Sequence, residues 1–181
     1  MLLNERGADC NFDKTLATVL APNLRYTLAH VLTCNMIREM AKSTLTPDEF
    51  LKGFPADMQQ LANDLRALTR AALPDTIEDV KVGWQLIGLH VPGKSKLIYY
   101  GFIIPHKDSV TLGFQHGICL DAPDGLLLGV EEKLVQVRYV SLRKRSDIRR
   151  KLFTELLKAA ADIAAMPKEM RFAALQVKGS T

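Results

Sequence analysis

The hydrophobic pattern of this 181-residue chain changes period twice, and that change limits the fold class more than any other feature. Between Ile77 and Ser141 apolar residues recur at every second position, as in β-strands, whereas both flanks show the three- and four-residue steps of helices. Short turns separate the period-two segments, so we expect antiparallel pairing. The sequence therefore predicts an α+β fold, in which one antiparallel β-sheet is flanked by N-terminal and C-terminal helices.

Turn residues divide the period-two region into separate strands. Leu97–Ile104 is apolar at nearly every position, which predicts a central strand covered on both faces. His90 alternates with apolar neighbours and is expected to face solvent. Two further strands each have one set of residues on a common face, which are Gln85, Ile87, Leu89 and Val91 in the first and Val110, Leu112 and Phe114 in the second. In the last strand Val135, Val137 and Tyr139 are predicted to point inward.

Three helices are predicted from capping residues and apolar stripes. Thr46 is a suitable N-cap, Pro47 suits the first helical position, and Glu49 completes a capping box. The helix that follows Pro55 has an apolar stripe, with Arg66 and Arg70 off it. The last helix is expected to begin near Ser146 and Asp147. The predicted apolar stripes are Met58, Leu61, Leu65, Leu68 and Ala72 in the helix after Pro55, and Ile148, Leu152, Leu156, Ala159 and Ile163 in the last helix.

These signals predict one α+β domain over residues 45–166, preceded by an appendage at 1–44 and followed by a short tail at 167–181. Two interpretations of residues 1–40 remain open. They form either an appended segment or a leader upstream of a true start at Met36 or Met40. The segment lacks a convincing cap or a partner strand.

Bulk composition excludes several classes of protein. No run approaches the ~18 apolar residues of a membrane span, so no membrane partner is expected. Three cysteines without a paired spacing, and acids near the N-terminus, favour a reduced, cytoplasmic setting. The net charge of +4 and the pI of about 9.0 weakly favour an anionic partner.

Residues 45–165 resemble the YdhG-like family of largely uncharacterised bacterial proteins. The resemblance lies in the helix sequence FPADMQQLANDLRAL, in Gly83-Trp84, in the VTLGF strand and in the segment LDAPDGLLLG. It implies a frataxin-like fold, and it offers iron as a ligand because at least one relative is described as an iron chaperone. The chain departs from the family after Gly83-Trp84, where relatives often carry a proline, and over Val130–Gln136, where they tend to show Gly-Lys and Arg-His.

Four acidic residues are the candidate metal ligands: Asp48, Glu49, Asp57 and Asp64. Asp57 and Asp64 are seven residues apart and share a helix face. Frataxins hold iron weakly on an exposed acidic helix edge, and carboxylates are the hard oxygen ligands such a site needs. The alternative is structural, because acids near a helix start are stabilised by the macrodipole.

Five basic residues at the start of the last helix are the candidate anion ligands: Arg143, Lys144, Arg145, Arg149 and Arg150. Positive charge opposes the macrodipole at a helix N-terminus. Free N–H groups together with arginines favour binding of phosphate, nucleic acid or an acidic protein. The alternative is a basic face that is only solvated.

Aromatic residues concentrate on the central strands and predict a ligand-binding surface at Trp84, Tyr99, Tyr100, Phe102 and His106. Tyr99 and Tyr100 are expected to point to opposite faces of the sheet, and core packing is the alternative explanation for most of the set.

Taken together, these features predict a non-enzymatic cytosolic binding or carrier protein. Its ligand is iron according to the resemblance, or an anion according to the basic cluster. An enzyme is the runner-up class, but no paired carboxylates, glycine-rich phosphate loop or triad spacing supports one.

Overall fold

The structure is a computed structural model that describes residues 45–171. A short helix α1 and a long helix α2 come first, five strands follow, and helix α3 comes after them. The bounds are α1 Pro47–Leu51, α2 Ala56–Ala72, β1 Ile77–Lys81, β2 Leu86–Pro92, β3 Leu97–Pro105, β4 Val110–Phe114, β5 Arg138–Leu142 and α3 Arg150–Ala165. Single 3-10 turns lie at Val82–Trp84, Gly117–Cys119 and Arg145–Asp147.

The five strands form one antiparallel sheet in the order β1-β2-β3-β4-β5. Each strand is hydrogen-bonded to the next along the chain, as the short connections between β1 and β4 predict, and β5 pairs with β4 after a long connection over residues 115–137. The α+β class and the antiparallel sheet are therefore confirmed. The finer expectation of a frataxin-like fold stays a prediction.

Both long helices contribute to one hydrophobic core against the sheet. The stripe predicted for α2 is confirmed, because Met58, Leu61, Leu65, Leu68 and Ala72 are all buried. The capping box of α1 is confirmed as well. The Thr46 backbone N–H donates to Oε2 of Glu49 at 2.9 Å, and the Glu49 N–H donates to Oγ1 of Thr46 at 3.2 Å.

Tyr99 and Tyr100 point to opposite faces of β3, as predicted. Tyr100 is fully buried in the core, and its hydroxyl lies 3.0 Å from Oγ1 of Thr76. Tyr99 lies beside His90 on the other face, with the ring centroids 5.2 Å apart. Strand β3 was predicted to be covered on both faces, but Phe102 is only half-buried on the face that it shares with Tyr99. That face is therefore covered less completely than predicted.

The inward positions predicted for the last strand are wrong. β5 begins only at Arg138, its buried residues are Val140 and Leu142, and Val135 is 81% exposed. Pairing of Val140 with Leu112 of β4 fixes which residues point inward. Before Arg138 the chain turns on itself instead of pairing with β4, and Leu134 N–H donates to the Gly129 carbonyl at 3.1 Å.

The last helix begins later than predicted, at Arg150, because the 3-10 turn Arg145–Asp147 precedes it. Its buried side is rotated accordingly, and four of the five predicted stripe residues lie half-buried at the edge of the core. The fully buried residues of α3 are Phe153, Leu156, Leu157, Ala160, Ala161 and Ala164. The half-buried residues of the predicted stripe are Ile148, Leu152, Ala159 and Ile163.

No helix within residues 45–171 has both the length and the apolar character needed to cross a membrane. The predictions made for residues 1–44, and for the part of the tail beyond Arg171, lie outside the described residues.

Candidate binding site beside the start of helix α3

The chain leaves β5 at Leu142 and folds into a tight turn before α3. Asp147 holds this turn, because its Oδ2 accepts hydrogen bonds from the backbone N–H groups of Arg143 at 3.0 Å and Lys144 at 3.1 Å. These bonds stabilise the ionised carboxylate, so the hydrogen bond from Arg143, with a further contribution from Lys144, lowers the pKa of Asp147.

A second segment lies along the outer edge of β5. Leu128 forms two backbone hydrogen bonds with Tyr139, of 2.8 and 3.1 Å. Just before it, Gly125 adopts a φ of 71°, a left-handed conformation that glycine accepts without strain. The segment from Pro123 to Leu128 is thereby folded over the end of β5.

Between these two segments the structure has a cavity of about 450 Å³, within the range of small-molecule sites. The residues that line it include leucines and a valine together with serines, two aspartates and one arginine. The lining residues are Pro123, Asp124, Gly125, Leu126, Leu128, Val140, Ser141, Leu142, Ser146, Asp147 and Arg149.

The five basic residues predicted to bind an anion fall into two groups. Arg145 forms an ion pair with Asp64 of α2, and so it is already neutralised. Arg143, Lys144, Arg149 and Arg150 are exposed, and none of them forms an ion pair with a residue between 45 and 171. Arg149 alone among the five lines the cavity.

Arg149 also occupies the N-cap position of α3, where no side chain accepts a hydrogen bond from the helix. The first backbone N–H groups of a helix have no partner within it, so the N-terminus of α3 adds partial positive charge beside Arg149. The backbone and the side chain thus carry charge of the same sign at this corner of the molecule.

The four acidic residues predicted to bind iron do not converge. Two of them contact arginines, since Asp48 Oδ1 lies 2.5 Å from Nη1 of Arg66 and Asp64 pairs with Arg145. Glu49 is held in its capping box, and Asp57 accepts a bond from its neighbour Met58 at 3.0 Å. Within residues 45–171, no group of three histidines, cysteines or acids is arranged to hold a metal ion. Iron binding stays a prediction of the family resemblance.

The aromatic residues predicted to bind a ligand are also dispersed. Tyr100 is buried, while Tyr99 and Phe102 lie on the other face of the sheet. Trp84 is 75% exposed in the turn between β1 and β2. His106 lies in the β3–β4 turn, with Nε2 at 3.1 Å from Oγ1 of Thr111.

Sequence reasoning misplaced two polar residues. Arg66, predicted to lie off the buried stripe, is only 6% exposed and donates from Nε to Oε2 of Glu78 at 2.8 Å. His90, predicted to face solvent, is mostly buried with Nε2 at 3.0 Å from Oδ1 of Asp79. Burial, and then the nearby charge of Asp79, raises the pKa of Tyr99 to about 12.

Sequence reasoning also missed the polar cavity residues Asp124, Ser141 and Ser146. The available signal was the segment LDAPDGLLLG, whose turn cluster marks a loop but does not show which strand that loop covers.

The chain was compared with protein-family models, with curated proteins and with solved structures, and none of the three comparisons gives a match.

Proposed function

We propose that this protein is a non-enzymatic binding or carrier protein that takes a small anion into the cavity beside α3. The observation that carries the proposal is the position of Arg149. Arg149 is one of the residues that line a cavity of about 450 Å³, and its side chain forms no ion pair with any residue from 45 to 171. An arginine placed in this way favours a carboxylate or phosphate through charge-assisted hydrogen bonds.

The two acids in the wall do not cancel this preference. The carboxylate of Asp147 accepts two backbone N–H groups, which offset its charge locally. Asp124 is exposed and accepts hydrogen bonds, so it suits a hydroxyl group on the ligand. Arg143, Lys144 and Arg150 add positive charge around the site.

The remaining walls suggest the shape of the ligand. Leu126, Val140 and Leu142 are apolar residues among those that line the cavity. Pockets of this kind bind the body of a ligand through apolar contacts and orient it through a few polar ones. The matching class is a small organic anion that has a phosphate or carboxylate group and a hydroxylated or apolar body.

Binding fits the electrostatics of the cavity better than acid–base catalysis. A general acid at neutral pH needs a raised carboxyl pKa. Hydrogen bonds from Arg143 and Lys144 lower the pKa of Asp147 instead. The carboxylate that faces the cavity is thus suited to holding the turn.

A titration with inorganic phosphate, followed by amide NMR signals, tests this proposal. We expect the signals of Ser141 and of residues 146–149 to shift and saturate. The variant Arg149→Gln removes one charged hydrogen bond, worth about 1.5–3 kcal/mol, so the dissociation constant should rise about tenfold or more. The matched control is Lys158→Gln, which removes an exposed cation farther along the same helix.

Phosphate shifts that are absent, or that survive unchanged in Arg149→Gln, would refute the cavity as the anion site. A parallel titration with ferric ion addresses the resemblance. Saturable broadening centred on Asp57 and Asp64 would favour an iron carrier over an anion carrier.

A further inference from the structure

Three loops leave the sheet at the same end. The strand register pairs Lys81 with Leu86, Pro105 with Val110, and Val110 with Leu142. The turn at 82–85, the turn at 106–109 and the segment 143–149 therefore follow one another across one end of the sheet.

The first of these loops carries the most exposed aromatic residue among residues 45–171. Trp84 is 75% exposed and its neighbour Val82 is 52% exposed. The turn is closed by Gln85, whose N–H donates to the Val82 carbonyl at 3.1 Å and whose φ is 51°. A large, flat apolar ring is thus presented to solvent on a hydrogen-bonded turn, where it is not used for packing.

The other two loops carry positive charge. Lys107 is exposed in the middle loop, and Arg143, Lys144, Arg149 and Arg150 are exposed in and beside the last loop. None of these five forms an ion pair within the described part of the chain. Two acids lie among them: Asp108 accepts a bond from Ser109 Oγ at 3.2 Å, and Asp147 accepts the backbone N–H groups of Arg143 and Lys144 at 3.0 and 3.1 Å.

The spacing of these groups follows from the sheet. Neighbouring strands lie about 4.8 Å apart, and β2 and β5 are separated by three such steps, which is about 14 Å. Trp84 lies at one side of this end of the sheet, and the exposed cations of the other two loops lie along the rest of it. We call this row of groups the strip, and a chain of a few nucleotides is long enough to span it. Non-sequence-specific binding of single strands uses the same combination, with bases stacked on aromatic side chains and phosphates held by cations.

We propose that this end of the sheet binds single-stranded nucleic acid, with a base stacked on Trp84 and the phosphates held by Arg143, Lys144 and Arg149. The proposal rests on the proposed anion site, because one phosphate of the strand occupies it. A membrane surface is the other anionic partner to consider. The structure favours nucleic acid because the apolar part is a single ring with one valine, whereas interfacial binding needs a broad apolar face.

Fluorescence gives a direct test, because Trp84 is the only tryptophan of the chain. An oligothymidylate of about twelve nucleotides should quench Trp84 emission in a saturable manner. Loss of stacking in Trp84→Ala should weaken binding roughly five- to 150-fold, measured by anisotropy of a labelled strand, and Trp84→Phe should restore part of it. Neutralising Arg143 and Lys144 together should make the logarithmic salt dependence shallower by about 1.4.

Several outcomes would overturn the inference. An emission that oligothymidylate leaves unchanged is one, and binding to Trp84→Ala as tight as to the parent is another. Quenching by phosphatidylserine vesicles with none by the oligonucleotide would assign the surface to membranes. Inorganic phosphate separates the two proposals. Phosphate binding at Arg149 without oligonucleotide binding refutes only this inference, whereas Trp84-dependent oligonucleotide binding without phosphate shifts at 146–149 refutes the cavity as an anion site and, with it, the placement of one phosphate of the strand there.

Discussion

Arg66 of helix α2 donates from Nε to Oε2 of Glu78 in strand β1, at 2.8 Å, and both side chains are more than nine-tenths buried. The same guanidinium donates from Nη1 to Oδ1 of Asp48, at 2.5 Å, and to Oδ1 of Asn63, at 2.7 Å. One side chain therefore joins α1, α2 and the edge strand of the sheet.

Removing Arg66 should destabilise the fold strongly. Arg66→Met leaves the carboxylate of Glu78 largely buried with only Arg70 as a partner, at 2.8 Å. Breaking a buried pair costs about 3–5 kcal/mol, and the remaining bond to Arg70 places this case near the lower value. Urea denaturation measures the difference. The control is Arg70→Gln, whose half-exposed side chain should contribute less than about 1 kcal/mol.

The Asp48 contact should make stability depend on pH. The hydrogen bond from Arg66, and then its charge, lowers the pKa of Asp48 in the folded state. When the pKa of a carboxyl group is lower in the folded state than in the unfolded state, the group stabilises the fold fully at a pH above its unfolded-state pKa of about 3.9. That contribution is lost as the pH falls through the folded-state pKa. Asp48→Asn should therefore show a shallower loss of unfolding free energy below about pH 4. Parallel curves for the variant and the parent would contradict this.

The parts of the fold that were predicted correctly depend on local signals. The buried stripe of α2 spans its seventeen residues, and the capping box involves residues only three apart. The error at β5 has a non-local cause. Pairing of Leu112 with Val140 across a long connection decides which residues of β5 point inward, and no local pattern contains that register.

The candidate site was predictable in its pieces but not as an assembly. The basic run after β5 and the LDAPDGLLLG segment are both conspicuous in the sequence. The two segments are brought together by the backbone bridge between Leu128 and Tyr139. No local sequence pattern shows that pairing. The burial of Arg66 was missed for a similar reason, because its partner Glu78 lies twelve residues away on another element.

A side chain at Gly101 should be poorly tolerated. A Cβ there would lie 2.7 Å from the Gly113 carbonyl oxygen of the paired strand, and a backbone atom cannot turn aside as a side chain can. We expect Gly101→Ala to lower the free energy of unfolding by about 1–3 kcal/mol. Gly83→Ala is the matched control, since nothing lies within 4 Å of its added Cβ. Equal stability of the two variants would show that β3 and β4 separate easily.

The ion pair between Asp64 and Arg145 should restrain nucleic-acid binding. Arg145 adjoins the proposed strip of cations but is neutralised by a carboxylate of α2. Asp64→Asn releases this arginine, so oligothymidylate should bind a few-fold more tightly at low salt. The logarithmic salt dependence should become steeper by about 0.7, the value for one further phosphate contact on a single strand. The cost in stability should be about 1 kcal/mol, because Arg145 is largely exposed although Asp64 is only 19% exposed and also accepts a bond from Gln60 at 3.1 Å.

Asp57→Asn provides the control for this last prediction. It removes one negative charge from the same helix, but among residues 45–171 the Asp57 carboxylate accepts a hydrogen bond only from the neighbouring Met58 N–H. A gain in affinity that depends only on net charge would be equal in the two variants. A gain in Asp64→Asn alone, lost again in the double variant with Arg145→Gln, would show that the released guanidinium contacts the strand. Equal affinities in both single variants would rule out a role for Arg145.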